Sequence, residues 1–188
     1  MQLRAFPPFA GFLGLALLLL CLVPAQAQLF ETKATQAFMI DADTGTVLFS
    51  KDADKPIPPA SMAKLMTMEV VFNAIKSGRL KLDDTFVVSE NAWRKGGAPS
   101  GTSTMFAKLK SAIRLEDLIQ GVTVQAANDG CIVIAEGMAG SEDSFAAQMT
   151  ERARQIGLKT STFVNSTGLP ADGHPTPDMV ARLQQAVR

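Results

Sequence analysis

A mixed α+β fold is predicted by three features of the sequence. Two β-rich segments come first, the helical segments follow them, and turn or cap residues separate each element from the next. The first β-rich segment is "QAFMIDA", residues 36–42, and the second is "TVLFSK", residues 46–51. They bracket Asp43-Thr44-Gly45, and short apolar runs around a glycine-bearing turn read as an antiparallel hairpin. The proline-bearing loop "DADKPIPPA" comes next, because Pro58 and Pro59 cannot continue a strand. A helix follows from Met62 to about Lys76, with Gly78 at its C-terminal cap.

"TFVV", residues 85–88, is a short strand, and residues 95–104, "KGGAPSGTST", form a loop. Leu115 to about Val122 and Asp129 to Met138 read as buried helices, since both are too uniformly apolar for a surface position. Ser141 followed by Glu142 and Asp143 opens an amphipathic helix to Ile156 that Gly157 closes. Thr176-Pro177-Asp178 opens a last helix that runs to Arg188. Only two strands are convincing by themselves, and an isolated hairpin is marginally stable.

Ahead of the hairpin lies "MQLRAFPPFAGFLGLALLLLCLVPAQAQ", with a single early charge at Arg4 and an apolar run from about Phe12 to Val23. That run is shorter than the roughly 20 apolar residues a spanning helix needs, and Ala25-Gln26-Ala27 supplies small residues for cleavage. Residues 1–27 are therefore expected to be a secretory signal peptide, and residues 28–188 one partial domain, exported to the periplasm or cell envelope. Without Arg4 the remainder carries 18 acidic against 17 basic residues, which argues against nucleic acid as a partner. Membrane association is not encoded in this part of the chain. Only Cys131 survives cleavage, so no intrachain disulfide can form, and the flanking "CIVIA" points to a buried thiol. No metal-ligand spacing occurs, and no cofactor is implied.

The chemistry centres on "PPASMAKLM", residues 58–66. With 11 serines and 10 lysines in 188 residues, random placement gives about 0.6 occurrences of Ser-x-x-Lys, so the pattern alone carries little weight. The bland alternative makes Ser61 an ordinary helix N-cap. Lys64 argues otherwise. It puts a cation in the first turn of a helix, against the positive end of the dipole, at a cost of a few tenths of a kcal/mol or more. It is also the only charge between Lys55 and Glu69, so dipole and burial should both depress its pKa. Ser61 and Lys64 share a helical face at i, i+3, and a neutral lysine can take a serine proton without a histidine. The one histidine, His174, has no motif around it.

Beyond that pair, the sequence resembles the D-alanyl-D-alanine carboxypeptidases among the low-molecular-mass penicillin-binding proteins. The resemblance rests on "AFMIDADTGTVLFSKDADKPIPPASMAKLMT", "LEDLIQGVTVQAANDGC", "GSEDSFAAQM" and "GLKTSTFVNSTGLPADGH". It implies the fold shared by penicillin-binding proteins and β-lactamases, an antiparallel sheet with a helical lobe, here lacking its C-terminal strands. It implies Ser61 as the acylated nucleophile, Lys64 as its proton acceptor, and Asn128 as a side chain holding the lysine and the substrate backbone. The implied partners are peptidoglycan D-Ala-D-Ala stem peptides, with β-lactams as inhibitors.

Two departures accompany the resemblance. The family's Ser-x-Asn motif falls on Ala126-Ala127-Asn128, so the hydroxyl that helps return the proton to the leaving group is absent. The third motif, Lys-Thr/Ser-Gly, is not reached by residue 188. Lys76-Ser77-Gly78 spells it but closes the Ser61 helix, and Lys159-Thr160-Ser161 lacks the glycine. In the family that strand supplies one oxyanion donor, and losing one costs on the order of 10²–10³ in kcat. A class A β-lactamase would need a glutamate to activate water, and Glu142 and Glu151 lie on an amphipathic helix with no such motif. The alternative from another class is a catalytically incompetent truncated fragment or a non-catalytic penicillin-binding or scaffold domain. The 188 residues by themselves are expected to turn over D-Ala-D-Ala peptide negligibly. Release of D-alanine at the rate of an intact family enzyme would show that the third motif is dispensable or supplied by another chain.

Overall fold

A computed structural model describes residues 31–171. The chain divides into two units, Met1–Thr35 and Gln36–Arg188. The expected signal peptide, His174 and the expected last helix from Thr176 lie outside the described residues. In the first unit, the Ala34 N–H donates to Thr32 Oγ1 at 3.2 Å.

The second unit opens on the expected hairpin, strand β1 (Ala37–Ile40) antiparallel to β2 (Val47–Lys51), with Ala37 opposite Lys51 and a register shift between Met39 and Ile40. Its turn is closed by Asp41, whose carboxylate accepts from the Thr44 hydroxyl at 2.7 Å and the Thr44 N–H at 2.8 Å. Those bonds hold the Asp41 carboxyl below the usual carboxylate range. A 3-10 turn, Ala60–Met62, leads into α1 (Ala63–Lys76). Next come β3 (Thr85–Val87), α2 (Glu90–Lys95), a 3-10 turn at Ala98–Ser100, and β4 (Ala112–Arg114). Helices α3 (Leu115–Gln125), α4 (Asn128–Ala139) and α5 (Glu142–Gln155) complete the described residues. Strands β3 and β4 pair antiparallel, so the described sheets are two separate two-stranded ribbons.

Three elements differ from the sequence expectation. Helix α2 forms between the expected strand and loop because Ser89 caps it, its hydroxyl accepting from the Ala92 N–H at 2.9 Å, with Glu90 in the first turn and Arg94 and Lys95 in the last. Strand β4 is only three residues long and exists through its pairing with β3. Helix α3 is not buried all round. It turns Leu115, Leu118, Gly121 and Val122 inward and leaves Gln120, Thr123 and Val124 exposed. The apolar residues of this helix outnumber the positions its inner face can take.

Helix α4 matches the expectation of a buried helix. Every residue from Asn128 to Ala135 is buried, with α1, α2, α3, α5 and β3 packed around it. Cys131, Ile132, Val133 and Ile134 meet Val71 of α1, Leu118 of α3, and Phe145 and Met149 of α5 in one core cluster. Each such side chain contributes roughly 1.5–3 kcal/mol on burial.

The start of α4 is fastened by Asp129. Its buried carboxylate accepts from Thr104 Oγ1 at 2.7 Å and from the N–H groups of Met105, Ala107 and Gly130 at 3.0 Å each. A carboxylate at a helix N-terminus with four donors is fully satisfied, and it pins the 104–107 segment over the helix. Gly96 makes room for this junction, since a Cβ there would overlap the Asp129 backbone. Asp129→Ala is expected to lower unfolding free energy by about 3–5 kcal/mol, because it strands buried donors. Urea unfolding followed by far-UV circular dichroism measures it, and a loss below about 1 kcal/mol would show that the junction is not held this way.

Candidate functional site

The site grows from the first two turns of α1. Pro58 and Pro59 end the preceding loop, and Ala60 takes a left-handed conformation, φ 47°, that costs an L-residue roughly 1–2 kcal/mol. Ser61 follows on the 3-10 turn, exposed, and makes no capping bond. The N-cap of α1 is Met62, so the bland role for Ser61 does not hold.

Lys64 is 6% exposed. Its Nζ lies 3.1 Å from Ser61 Oγ and donates to the Thr167 carbonyl at 3.0 Å. Burial lowers its pKa from 10.5. The nearby Cys131 thiol, pushed up to about 12 by burial, is neutral at physiological pH and gives the amine no countercharge. A neutral amine carries one lone pair and donors besides. With one N–H committed to Thr167, the lone pair is available to the Ser61 hydroxyl proton, which is the arrangement a serine nucleophile and its base require.

The Thr167 carbonyl belongs to a strap, residues 165–169, that runs along α1 and was not foreseen as part of the site. Thr67 Oγ1 donates to the Ser166 carbonyl at 2.6 Å, one turn beyond Lys64. Gly168, φ 78°, lies against Ala60 so closely that a Cβ would overlap the Ala60 carbonyl. Ser166 also donates from its hydroxyl to Glu142 Oε1 at 2.8 Å. Glu142 is thus engaged by the strap, and Glu151 is exposed and paired with Gln155 at 3.4 Å.

Asn128, the first residue of α4, is 3% exposed. The resemblance implies that its side chain holds the lysine, and the structure differs. Its Nδ2 donates to Thr102 Oγ1 at 2.9 Å and its backbone N–H to the Ser103 carbonyl at 2.8 Å. The cause is the Asp129 junction, which brings the 102–107 segment onto the start of α4. Asn128 Oδ1 is buried with no hydrogen-bond partner among the described residues, a costly condition that a substrate N–H could relieve. Ala126, two residues earlier, caps α3 in the left-handed region at φ 53° and presents only a methyl group.

The two look-alikes of the third motif occupy structural positions. Ser77 and Gly78 close α1, with the Gly78 N–H donating to the Ile75 carbonyl at 3.0 Å. Lys159 and Thr160 are exposed in the turn after α5. Among the described residues, no group of three or more His, Cys, Asp or Glu side chains could hold a metal ion. None of the described helices is long and apolar enough to cross a membrane.

Comparison with known proteins follows the same lines. A family profile described as D-alanyl-D-alanine carboxypeptidase matches residues 23–188. The chain is 40% identical over 136 residues to D-alanyl-D-alanine carboxypeptidase DacC of Escherichia coli (strain K12), covering 72% of this chain and 34% of that protein. It is 34% identical over 142 residues to DacF of Bacillus subtilis (strain 168), covering 76% and 35%. The chain therefore spans about a third of the length of these relatives. Among solved structures, penicillin binding protein 6B from Escherichia coli superposes with a TM-score of 0.72 at 33% identity, over 87% of this chain and 51% of that one. Penicillin binding protein 5 from Haemophilus influenzae gives 0.72 at 28% identity, over 84% and 44%. The fold is that of the penicillin-binding proteins, as the sequence predicts.

The lowered pKa of Lys64 has a measurable sign. Between the folded value and 10.5 the unfolded chain binds more protons than the folded one, so stability rises with pH across that window. Relative to Lys64→Met, which cannot titrate, the unaltered chain is expected to gain unfolding free energy as pH climbs toward 10.5. Parallel urea titrations of both proteins check this, and a difference that stays flat or shrinks with pH contradicts a buried, depressed amine.

Proposed function

The chain belongs to the D-alanyl-D-alanine carboxypeptidase family, and on that footing we propose that it carries the acylating half of a serine-type D-Ala-D-Ala carboxypeptidase site. The observation that supports the reading best is the placement of Lys64 Nζ between Ser61 Oγ and the Thr167 carbonyl. Ser61 is the nucleophile and Lys64 its base. The substrate is the D-Ala-D-Ala end of a peptidoglycan stem peptide, met in the periplasm or cell envelope after export.

The chemistry runs as follows. The Ser61 proton passes to the Lys64 lone pair as Oγ bonds to the penultimate D-Ala carbonyl carbon. The resulting oxyanion is met by the Ser61 N–H at the start of α1, where the helix dipole favours negative charge. The C–N bond breaks, D-alanine leaves with a proton returned from Lys64, and water later cleaves the Ser61 ester. Asn128 Oδ1 accepts a backbone N–H of the bound peptide, which satisfies an otherwise unpaired buried acceptor. A β-lactam presents a strained amide to the same hydroxyl and leaves Ser61 acylated.

A non-catalytic, penicillin-binding or scaffold role is the second reading. It is favoured by the methyl group of Ala126, which can relay no proton, and by the commitment of the Asn128 amide to Thr102. In the carboxypeptidase reading, Lys64 itself or water performs that relay.

A fluorescent penicillin tests the acyl-enzyme, which the carboxypeptidase and penicillin-binding readings share and a pure scaffold role lacks. Release of D-alanine from a D-Ala-D-Ala peptide separates the first two. The unaltered chain is expected to take label at one residue, Ser61→Ala to take none, and Lys64→Ala to label about 10²–10⁴ times more slowly. Label retained by the Ser61 variant, or none on the unaltered chain, would sink the acyl-enzyme assignment.

A further inference from the structure

We propose that Asn165 is a positioning residue for Lys64, folding the 165–169 strap so that the Thr167 carbonyl meets the lysine amine. The proposal rests on the reading of Lys64 as the base of Ser61.

Asn165 uses its side-chain amide almost wholly on the strap. Its Oδ1 accepts from the Gly168 N–H at 2.7 Å, and from the Thr167 N–H and hydroxyl at 3.2 Å each. Its Nδ2 donates to the Leu169 carbonyl at 2.8 Å. Four bonds from one side chain to three residues, Thr167, Gly168 and Leu169, wrap the backbone into a single shape. The Thr167 hydroxyl also accepts from the Leu169 N–H at 3.1 Å, closing the same turn.

Packing alone does not dictate that shape. One side of the strap faces a cavity of about 730 Å³ shared with Glu136, Ser141 and Glu142, and the other borders an apolar cavity of about 180 Å³ beside Pro58, Pro59 and Ala63. Ser166 and Thr167 are buried where the strap meets α1, and beside the two cavities its internal bonds add to the constraint on its shape.

The shaped strap docks on one stripe of α1 and its preceding turn. Ala60 faces Gly168, Lys64 takes the Thr167 carbonyl, and Thr67 takes the Ser166 carbonyl. Lys64 and Thr67 share one face of α1 at i, i+3, and with the Ala60 carbonyl on the preceding turn they meet three successive strap residues. A change in strap shape therefore moves the carbonyl that, among the described residues, holds Lys64, and opens the amine to water. Among the described residues, the titratable group beside that amine is Cys131 from α4, with Asp129 of α4 and Glu142 of α5 acting on that thiol and Glu142 bonded to Ser166 across the strap.

The test follows Lys64 itself, in the full chain labelled with ¹³Cε-lysine, its resonance identified by its loss in Lys64→Arg. In Asn165→Ala the titration midpoint of Lys64 is expected to rise toward the ordinary lysine value by on the order of one pH unit, with the other lysines unmoved. A folded Asn165→Ala protein with an unchanged Lys64 midpoint overturns the proposal, since a merely structural role would lower stability and leave that titration alone. Asn165→Gln, which keeps the amide but lengthens its arm, serves if the alanine variant does not fold, with the same expectation. If neither folds, hydrogen exchange on the unaltered chain decides. Thr167 and Gly168 amides as protected as those of α1 support the strap, and exchange at exposed-loop rates overturns it. None of these readouts needs acylation. A chain that penicillin never labels still reports on Asn165, and a labelled chain whose Lys64 ignores Asn165 refutes the strap alone.

Discussion

A lysine amine shut away from water, with a serine hydroxyl on one side and a backbone carbonyl on the other, is the contact on which the rest of this site depends. Burial makes the charged form of Lys64 costly, and among the described residues no carboxylate is bonded to it. Burial lowers its pKa, so at any pH below 10.5 a larger fraction of the amine is neutral and able to take a proton from Ser61 than in an exposed lysine. The fold must therefore keep one end of α1 dry while leaving Ser61 open to solvent and substrate. The 3-10 turn does this by separating the exposed serine from the buried lysine three residues later.

Three parts of the chain maintain the arrangement. Helix α4 passes behind α1 and supplies the neutral Cys131 thiol and an apolar wall. The strap covers Lys64 and ties its backbone to Thr67 as well. The Asp129 carboxylate holds the 104–107 segment on α4, so Thr102 and Asn128 meet. The strap and the Asp129 carboxylate are polar groups satisfied by specific partners, so they set geometry as well as contributing stability.

Much of this was legible in the sequence where the signals are local. The hairpin shows in two short apolar runs around Gly45, α1 and α5 in their periodicity and terminal residues, and the Ser61–Lys64 pair in a cation placed where helices disfavour one. Short elements were missed because their signals are brief: α2 has six residues and β4 three. Helix α3 reads as buried from its apolar content, which does not reveal which face meets solvent, and Asp117 and Gln120 face outward. The strap escaped for a different reason. "VNSTGLP" contributes to the family resemblance, but its physical purpose depends on a bond between residues 103 positions apart, and no local pattern encodes that. The expectation that Asn128 holds the lysine rests on resemblance; its Nδ2 donates to Thr102, and its Oδ1 has no hydrogen-bond partner among the described residues.

The central claim is that Lys64 works as a neutral base toward Ser61. The most direct measurement is the pH dependence of the second-order rate at which a labelled penicillin acylates Ser61. The account predicts a rate that climbs with pH along a single limb whose midpoint lies below 10.5, because the fraction of neutral Lys64 sets the rate. A limb centred at the ordinary lysine value, or a rate independent of pH, would contradict it.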